Sequence, residues 1–339
     1  MSKQKFLVIQ TAFLGDAVLT LPMIQQLKIN FPSSQIDVVS IPSTSEIFNA
    51  SPNVDNTIVY DKRNSQRSIF QLFKFVSRIK KNKYDRIYSP HRSFRTSMIV
   101  WLSGVKDTYG FDTSSFAFVY KNKIKYEPKI HEVARNLRLI GFDIQNDNWK
   151  IKPEIKVTQA IKSKIASMLS IGPGIKFAAV APGSVWETKK YPQQYYEKII
   201  KSLLEKNHFV ILIGGKDDRI LCEYLEKTFQ SNIKSFAGRL NIIESIELIK
   251  NCSLLVCNDS APTHMGMIAG IPTLTIYCST VPDFGFYPYT ENSSFISFND
   301  LSCKPCGIHG HKKCPVKTFE CAYKLLPEQI IDKINSMTI

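Results

Sequence analysis

The sequence predicts an α/β protein made of two doubly wound units whose strand ends face a cleft. Three observations carry the prediction. The 339 residues suit two domains of ~150 residues each. Short, fully apolar runs alternate with amphipathic helical stretches, the pattern of parallel strands covered on both faces. That alternation stops once, over residues 141–156, and then restarts.

In the first unit, Phe6–Gln10 reads as a buried strand. A helical pattern (Ala17, Val18, Leu21, Ile24, Leu27) opens at Gly15 and ends near Phe31-Pro32. A strand is expected at 36–40, a short helix at 43–49, a strand at 57–60, a helix at 68–80 and a strand at 86–89. Residues 93–102 and 130–140 read as further helices. The mixed polar stretch 141–156, with Trp149 and Pro153, reads as the connection. The second unit reads as helix 158–169, strand 177–181, helix 192–206, strand 209–213 and helix 218–229. A short strand near Ser235, helix 242–251, strand 253–257, helix 261–269 and strand 273–277 follow. Residues 279–322 are rich in Pro, Gly and Cys, and helix 327–337 closes the chain.

Composition narrows the function. Apolar residues make up 44% and charged residues 22%, ordinary for a globular protein, but the net charge is +15. Residues 1–170 hold 26 basic and 13 acidic side chains, and residues 171–339 hold 18 and 16. A field of that sign attracts nucleic acid, an anionic membrane or a phosphorylated substrate. A composition bias toward Lys, which supplies 34 of the 44 cations, is the bland alternative. No apolar run reaches the ~18 residues of a membrane span, and Phe6–Ile9 is too short for a signal-peptide core. The chain is therefore expected in the cytoplasm, with its eight Cys as thiols or metal ligands rather than disulfides.

Four motifs fall at predicted strand ends, where open α/β sheets bind ligands. In Gln10–Asp16 there is no dinucleotide or P-loop fingerprint. Asp16 is either a first-turn carboxylate favoured by the helix dipole or a general base held at the cleft. In Ala181–Pro192, a Gly-Ser turn and a Lys pair lead to a helix opened by Pro192. Ser184, turn amides and a Lys ammonium make a plausible diphosphate cradle. In Ile211–Asp217, a strand ending at Gly214-Gly215 with an acid just after it suits a ribose-contacting corner. In Cys257–His264, Asp259-Ser260 read as a helix N-cap whose exposed amides form an anion site. His264 faces either that cleft or the core.

In this order and spacing the motifs resemble the lipopolysaccharide heptosyltransferases, glycosyltransferase family 9, over about residues 5–325. The most specific parts are Gly15–Pro22, the Pro-Gly-Ser turn leading to Lys189–Pro192, and Asn258-Asp259-Ser260…His264. The resemblance implies a GT-B fold: two Rossmann-like domains facing across a cleft, residues 1–156 for the acceptor and 157–326 for the nucleotide sugar. Residues 327–339 would be a closing helix that packs back on the first domain. It implies inverting, metal-independent transfer of a heptose from ADP-heptose to the lipopolysaccharide inner core. By the same resemblance Asp16 is the base, and Lys189 and Ser184 contact the phosphates. Gly214 and Asp217 lie at the nucleoside, and Asp259, Ser260, Ala261 and His264 lie around donor sugar and diphosphate. The family usually has Gly where this chain has Ala261, so another nucleotide sugar or glycan acceptor is the nearest alternative.

Two features lie outside those motifs. Residues 62–95 contain eleven Lys/Arg and one acid, Asp85; part of this is one helix face bearing Lys74, Arg78 and Lys81. Arg92 and Arg95 follow a strand end and are expected to bind a lipid-linked acidic glycan acceptor, with exposed Lys drawing the protein to the inner leaflet. A basic nucleic-acid-binding protein would explain the charge but not the motifs, and no nucleic-acid signature is present. Near the C-terminus Cys303, Cys306, Cys314 and Cys321, with His309 and His311 between, have a spacing suited to structural Zn; reduced thiols or disulfides remain open.

Overall fold

The computed structural model describes residues 3–170, 172 and 174–337. The chain divides into two compact units, residues 1–156 and 157–339. Each is built on one six-stranded sheet in which every pairing is parallel.

The first unit runs β1 (Lys5–Ile9), α1 (Leu14–Asn30), β2 (Gln35–Ser40), α2 (Ser45–Asn49), β3 (Asn56–Val59), α3 (Ile69–Lys81), β4 (Arg86–Ser89), α4 (Phe94–Ser103), β5 (Asp107–Phe111), β6 (Asn122–Ile124) and α5 (Glu132–Arg138). Its strand order is β3-β2-β1-β4-β5-β6. Phe6 to Ile9 are completely buried, because the central strand of a doubly wound sheet is covered on both faces. One core cluster joins Leu7, Ile9 and Ile87 of the sheet to Leu72, Phe75, Val76 and Ile79 of α3 and to Ile99 and Val100 of α4. The apolar pattern of the sequence does not mark strands β5 and β6. Asp107-Thr-Tyr-Gly110 lacks an apolar run, and Gly110 is required for packing: a Cβ there would stand 2.6 Å from the Tyr120 ring.

The second unit runs α6 (Gln159–Met168), β7 (Lys176–Ala181), α7 (Gln193–Glu205), β8 (His208–Leu212), α8 (Arg219–Phe229), β9 (Ile233–Ser235), α9 (Ile242–Lys250), β10 (Leu254–Asn258), α10 (Ala261–Ala269), β11 (Thr273–Tyr277), β12 (Ser294–Ser297), α11 (Glu320–Tyr323) and α12 (Pro327–Ser336). Its order, β12-β11-β10-β7-β8-β9, repeats that of the first unit. The short, Ser-flanked β12 and the single-turn α11 lie in the stretch that composition marked as irregular. Within the second unit, Ile330 and Ile334 of the closing helix join the core, and Lys198 of α7 pairs with Glu328 at 3.1 Å. The apolar face of α12 is thus satisfied against α7. No helix among the described residues is long and apolar enough to cross a membrane.

Candidate active site

In each unit the strand order reverses beside the first strand, between β1 and β4 and between β7 and β10. At such switch points two adjacent connections leave for opposite faces and open a crevice at the carboxyl ends of the strands. Both crevices are spanned by polar side chains, and the predicted residues collect around them.

In the second unit the spanning residue is Asn258, at the end of β10. Its Nδ2 donates to the carbonyls of Pro182 (2.8 Å) and Gly183 (3.1 Å), just beyond β7. Its Oδ1 accepts from the Tyr191 amide (3.1 Å) and the Tyr196 hydroxyl (2.9 Å). Asn258 is completely buried and its amide is fully used. It therefore fixes the turn that carries Ser184 and the segment that leads from Lys189 into α7.

Lys189 extends to Asp259: Nζ lies 2.6 Å from Oδ2, with both side chains largely buried (13% and 9% exposed). The Thr280 hydroxyl donates to the same carboxylate oxygen at 2.6 Å. Ser184 is half-buried, and its Oγ accepts from the Trp186 amide at 3.4 Å. Ser260 is the N-cap of α10 by backbone geometry, but its side chain makes no cap bond. Its hydroxyl turns back to the Asn258 carbonyl (3.3 Å), and Ala261 stands as the first helical residue, half-buried. His264, one turn in, is 4% exposed. Burial holds its imidazole down to about 4, with Asp259 pulling up and Lys189 pushing down, so it is neutral at pH 7. Its Nδ1 has no hydrogen-bond partner among the described residues. His264 is thus buried, within electrostatic reach of the Lys189–Asp259 pair.

Asp217 is exposed, whereas the next residue, Asp218, is half-buried and accepts from the Gly215 amide at 2.8 Å. A Cβ at Gly183 would overlap the Asp218 carboxylate, and one at Gly214 would stand 2.7 Å from it. Asp218 thus sits between the turns after β7 and β8. Burial, its largest influence, raises its pKa.

The cysteine-rich stretch also departs from expectation. Among the described residues no three His, Cys, Asp or Glu are arranged to hold a metal ion. All eight Cys are free thiols. Cys303, Cys306 and Cys314 are half-buried, while Cys321 enters the core beside Ala322 and Leu325, where burial pushes its thiol up to about 11. Cys303, Cys306 and Cys314 nevertheless lie within electrostatic reach of Cys321, so the four expected ligands are neighbours in the fold. The loop also packs against the Lys189 segment. The His311 amide donates to Thr188 Oγ1 (2.8 Å), Thr188 N donates to the His311 carbonyl (3.1 Å), and His309 stacks on Trp186 with centroids 6.2 Å apart. Sequence spacing gave no signal of this contact.

In the first unit Asp16 is half-buried on the first turn of α1, whose N-cap, Phe13, makes no side-chain cap. Near it lies a cluster that motif reading missed. Glu132 pairs with the completely enclosed Arg135 at 2.7 Å. Arg135 also donates to the carbonyls of Pro128 (2.9 Å) and Ile130 (2.7 Å). Burial raises the Glu132 pKa, Arg135 opposes it, and the charge of Asp16 adds to the rise. The Tyr126 ring lies under Arg92 at 3.8 Å and Arg135 at 5.0 Å. The i,i+3 spacing of Glu132 and Arg135 was the available signal.

Arg92 and Arg95 separate. Arg92 is half-buried and donates to Thr113 Oγ1 at 3.2 Å. The Arg95 guanidinium is engaged by its own unit: it donates to the Tyr60 hydroxyl (3.0 Å) and to the carbonyls of Gln66 (3.2 Å) and Arg67. It braces the loop after β3. Across the switch point Thr11 Oγ1 meets His91 Nδ1 at 2.8 Å, and Lys62 Nζ donates to the Thr11 carbonyl at 2.7 Å. Burial, with Lys62 and Arg92 nearby, holds His91 at about 4.

Comparisons with known proteins bear on the fold and the family. Residues 72–317 match the model of glycosyltransferase family 9 (heptosyltransferase). The lipooligosaccharide heptosyltransferase 2 of Campylobacter jejuni subsp. jejuni (serotype O:6) is 25% identical over 337 residues, covering 96% of each chain. The solved structure of E. coli ADP-heptose LPS heptosyltransferase II superposes with a TM-score of 0.80 at 19% identity, covering 98% of each chain. E. coli heptosyltransferase WaaC with ADP gives 0.73 at 17%, covering 98% of this chain and 99% of that one. These likenesses show the GT-B fold. With a model match over more than two-thirds of its length, this chain belongs to glycosyltransferase family 9, the heptosyltransferases.

Proposed function

We propose that the protein transfers a heptose from ADP-heptose to the inner core of lipopolysaccharide, with inversion at the anomeric carbon. The observation that carries this reading is the grouping of Lys189, Asp259, Thr280 and the start of α10, with the unpartnered Nδ1 of His264, at the second unit's switch point. A diphosphate needs a cation and donors in one place, and Asp259 holds Lys189 where a phosphate would compete for it. Ser184, Gly214, Asp217, Ser260 and Ala261 would complete the donor contacts, with Asp218 bracing the turns beside them.

The acceptor hydroxyl attacks the anomeric carbon as the bond to the ADP oxygen breaks. Asp16 takes the hydroxyl proton, and the electron pair leaves with ADP, where Lys189 and the α10 amides meet the developing charge. Arg92, over Tyr126, is the guanidinium best placed for an acidic group of the acceptor. The acceptor is lipid-linked in this reading, and the protein works in the cytoplasm, peripherally on the inner membrane. Ala261 favours one second reading, transfer of a different sugar, because its Cβ stands at the start of the anion-binding helix.

The test is a panel of nucleotide sugars on defined core acceptors with ADP release measured. ADP-heptose should turn over fastest. Preference for another donor would replace the first reading with the second, and no transfer to any glycan would reject both.

A further inference from the structure

The first unit exposes apolar side chains that its core does not use. α3 turns Leu72, Phe75, Val76 and Ile79 inward. Yet Ile69, Phe70 and Phe73 on its opening turns are 62%, 73% and 51% exposed. α4 packs beside α3 in the same core cluster and leaves Phe94 and Trp101 exposed, seven residues apart and so on one helix face. Phe116 continues from Phe94 with ring centroids 4.9 Å apart, and Phe118 from Phe116 at 5.3 Å. Exposed apolar surface of this kind marks an interaction site.

Charge decides the partner. Residues 62–84 contain eight Lys and Arg and no acid. Among the described residues Arg63, Arg67, Lys74, Arg78 and Lys81 form no ion pair. Aromatic rings ringed by uncompensated cations match a bilayer interface, with rings at headgroup depth and cations over anionic lipid. A protein partner would need a dense acidic face of matching shape; an anionic leaflet supplies that charge without any.

We infer that the α3–α4 face, led by Phe70, Phe73, Phe94 and Trp101 and flanked by Lys74 and Arg78, docks on an anionic phospholipid bilayer. The inference rests on the reading of a lipid-linked acceptor and names the surface that reaches it. In a doubly wound unit each helix begins at the carboxyl edge of the sheet. The first turns of α3 and α4 therefore share an edge with Asp16, and Phe13, exposed beside it, lies under Arg63 at 5.7 Å. Docking there holds the candidate base close to a substrate that cannot leave the membrane.

The test uses the full chain with vesicles of phosphatidylcholine, alone or mixed with phosphatidylglycerol. The parent should sediment with the anionic vesicles, less so as salt rises. Phe70→Ser with Phe73→Ser should lower the partition coefficient roughly tenfold or more, since each ring loses apolar burial. Brominated acyl chains should quench a fluorescence component that Trp101→Phe lacks. The serine variant should keep transfer to a water-soluble, delipidated acceptor and lose transfer to a vesicle-borne one. Equal partitioning of parent and variant, absence of Trp101 quenching, or a dimer of the parent that the variant loses would each overturn the inference. Vesicle docking without transfer to the soluble acceptor would support the docking face and overturn the catalytic reading instead.

Discussion

Asn258→Asp tests the central structural claim with a near-isosteric change. The side chain keeps two acceptors for the Tyr191 amide and the Tyr196 hydroxyl, but the donor to Pro182 and Gly183 disappears. Each buried carbonyl left without its donor costs ~1–3 kcal/mol, so about 4 kcal/mol is expected from the pair. A carboxylate oxygen would replace an NH2 that now sits 2.8 Å and 3.1 Å from those carbonyl oxygens, which adds repulsion. Because the freed turn carries Ser184 and leads to Lys189, ADP affinity should fall at least about tenfold, ~1.4 kcal/mol. The assays are urea unfolding and calorimetric ADP titration, parent against variant, at pH 8 and pH 5. The introduced carboxyl is buried, so its folded pKa rises above the unfolded ~3.9. Folded variant then binds more protons than unfolded, and the difference from the parent shrinks as pH falls through the raised value. Parent-like unfolding and ADP affinity at pH 8 would refute the role given to Asn258.

Other perturbations separate the remaining parts. Asp16→Ala should lower kcat/KM by ~10³-fold or more with ADP affinity unchanged, and unchanged turnover would reject the base assignment. Lys189→Ala strands a buried carboxylate and should cost roughly 3 kcal/mol in urea unfolding. Adding Asp259→Asn should restore folding but not ADP binding; restored binding would remove Lys189 from the phosphate site. His91 and His264, both held at about 4, bind a proton more readily when unfolded. Stability should therefore be full above about pH 6.5 and fall toward pH 4, by up to roughly 3 kcal/mol for enclosed His264 and less for His91. Replacing His264 by Gln should flatten that slope in a pH series of melts.

The sequence by itself determined the alternation of elements, the inner strands of both units and the chain segments that carry the motifs. It could do so because strands covered on both faces must be apolar throughout, as Phe6–Ile9 and Leu254–Cys257 are, and because Gly and Pro mark their exits. It missed β5, β6 and β12, which lie toward sheet edges and tolerate Asp, Gly and Ser. The tertiary structure decided which motif residues converge. Asn258 meets Pro182 across 76 residues, and Thr188 meets His311 across 123; nothing local encodes either contact. That Asp218 rather than Asp217 packs between the turns after β7 and β8 depends on the room that Gly183 and Gly214 leave. Arg95 follows a strand, but that it braces the loop after β3 depends on loop carbonyls the fold brings within reach of its guanidinium. Residue type and strand-end position are local properties, whereas a side chain's role is set by distant groups that the fold brings against it.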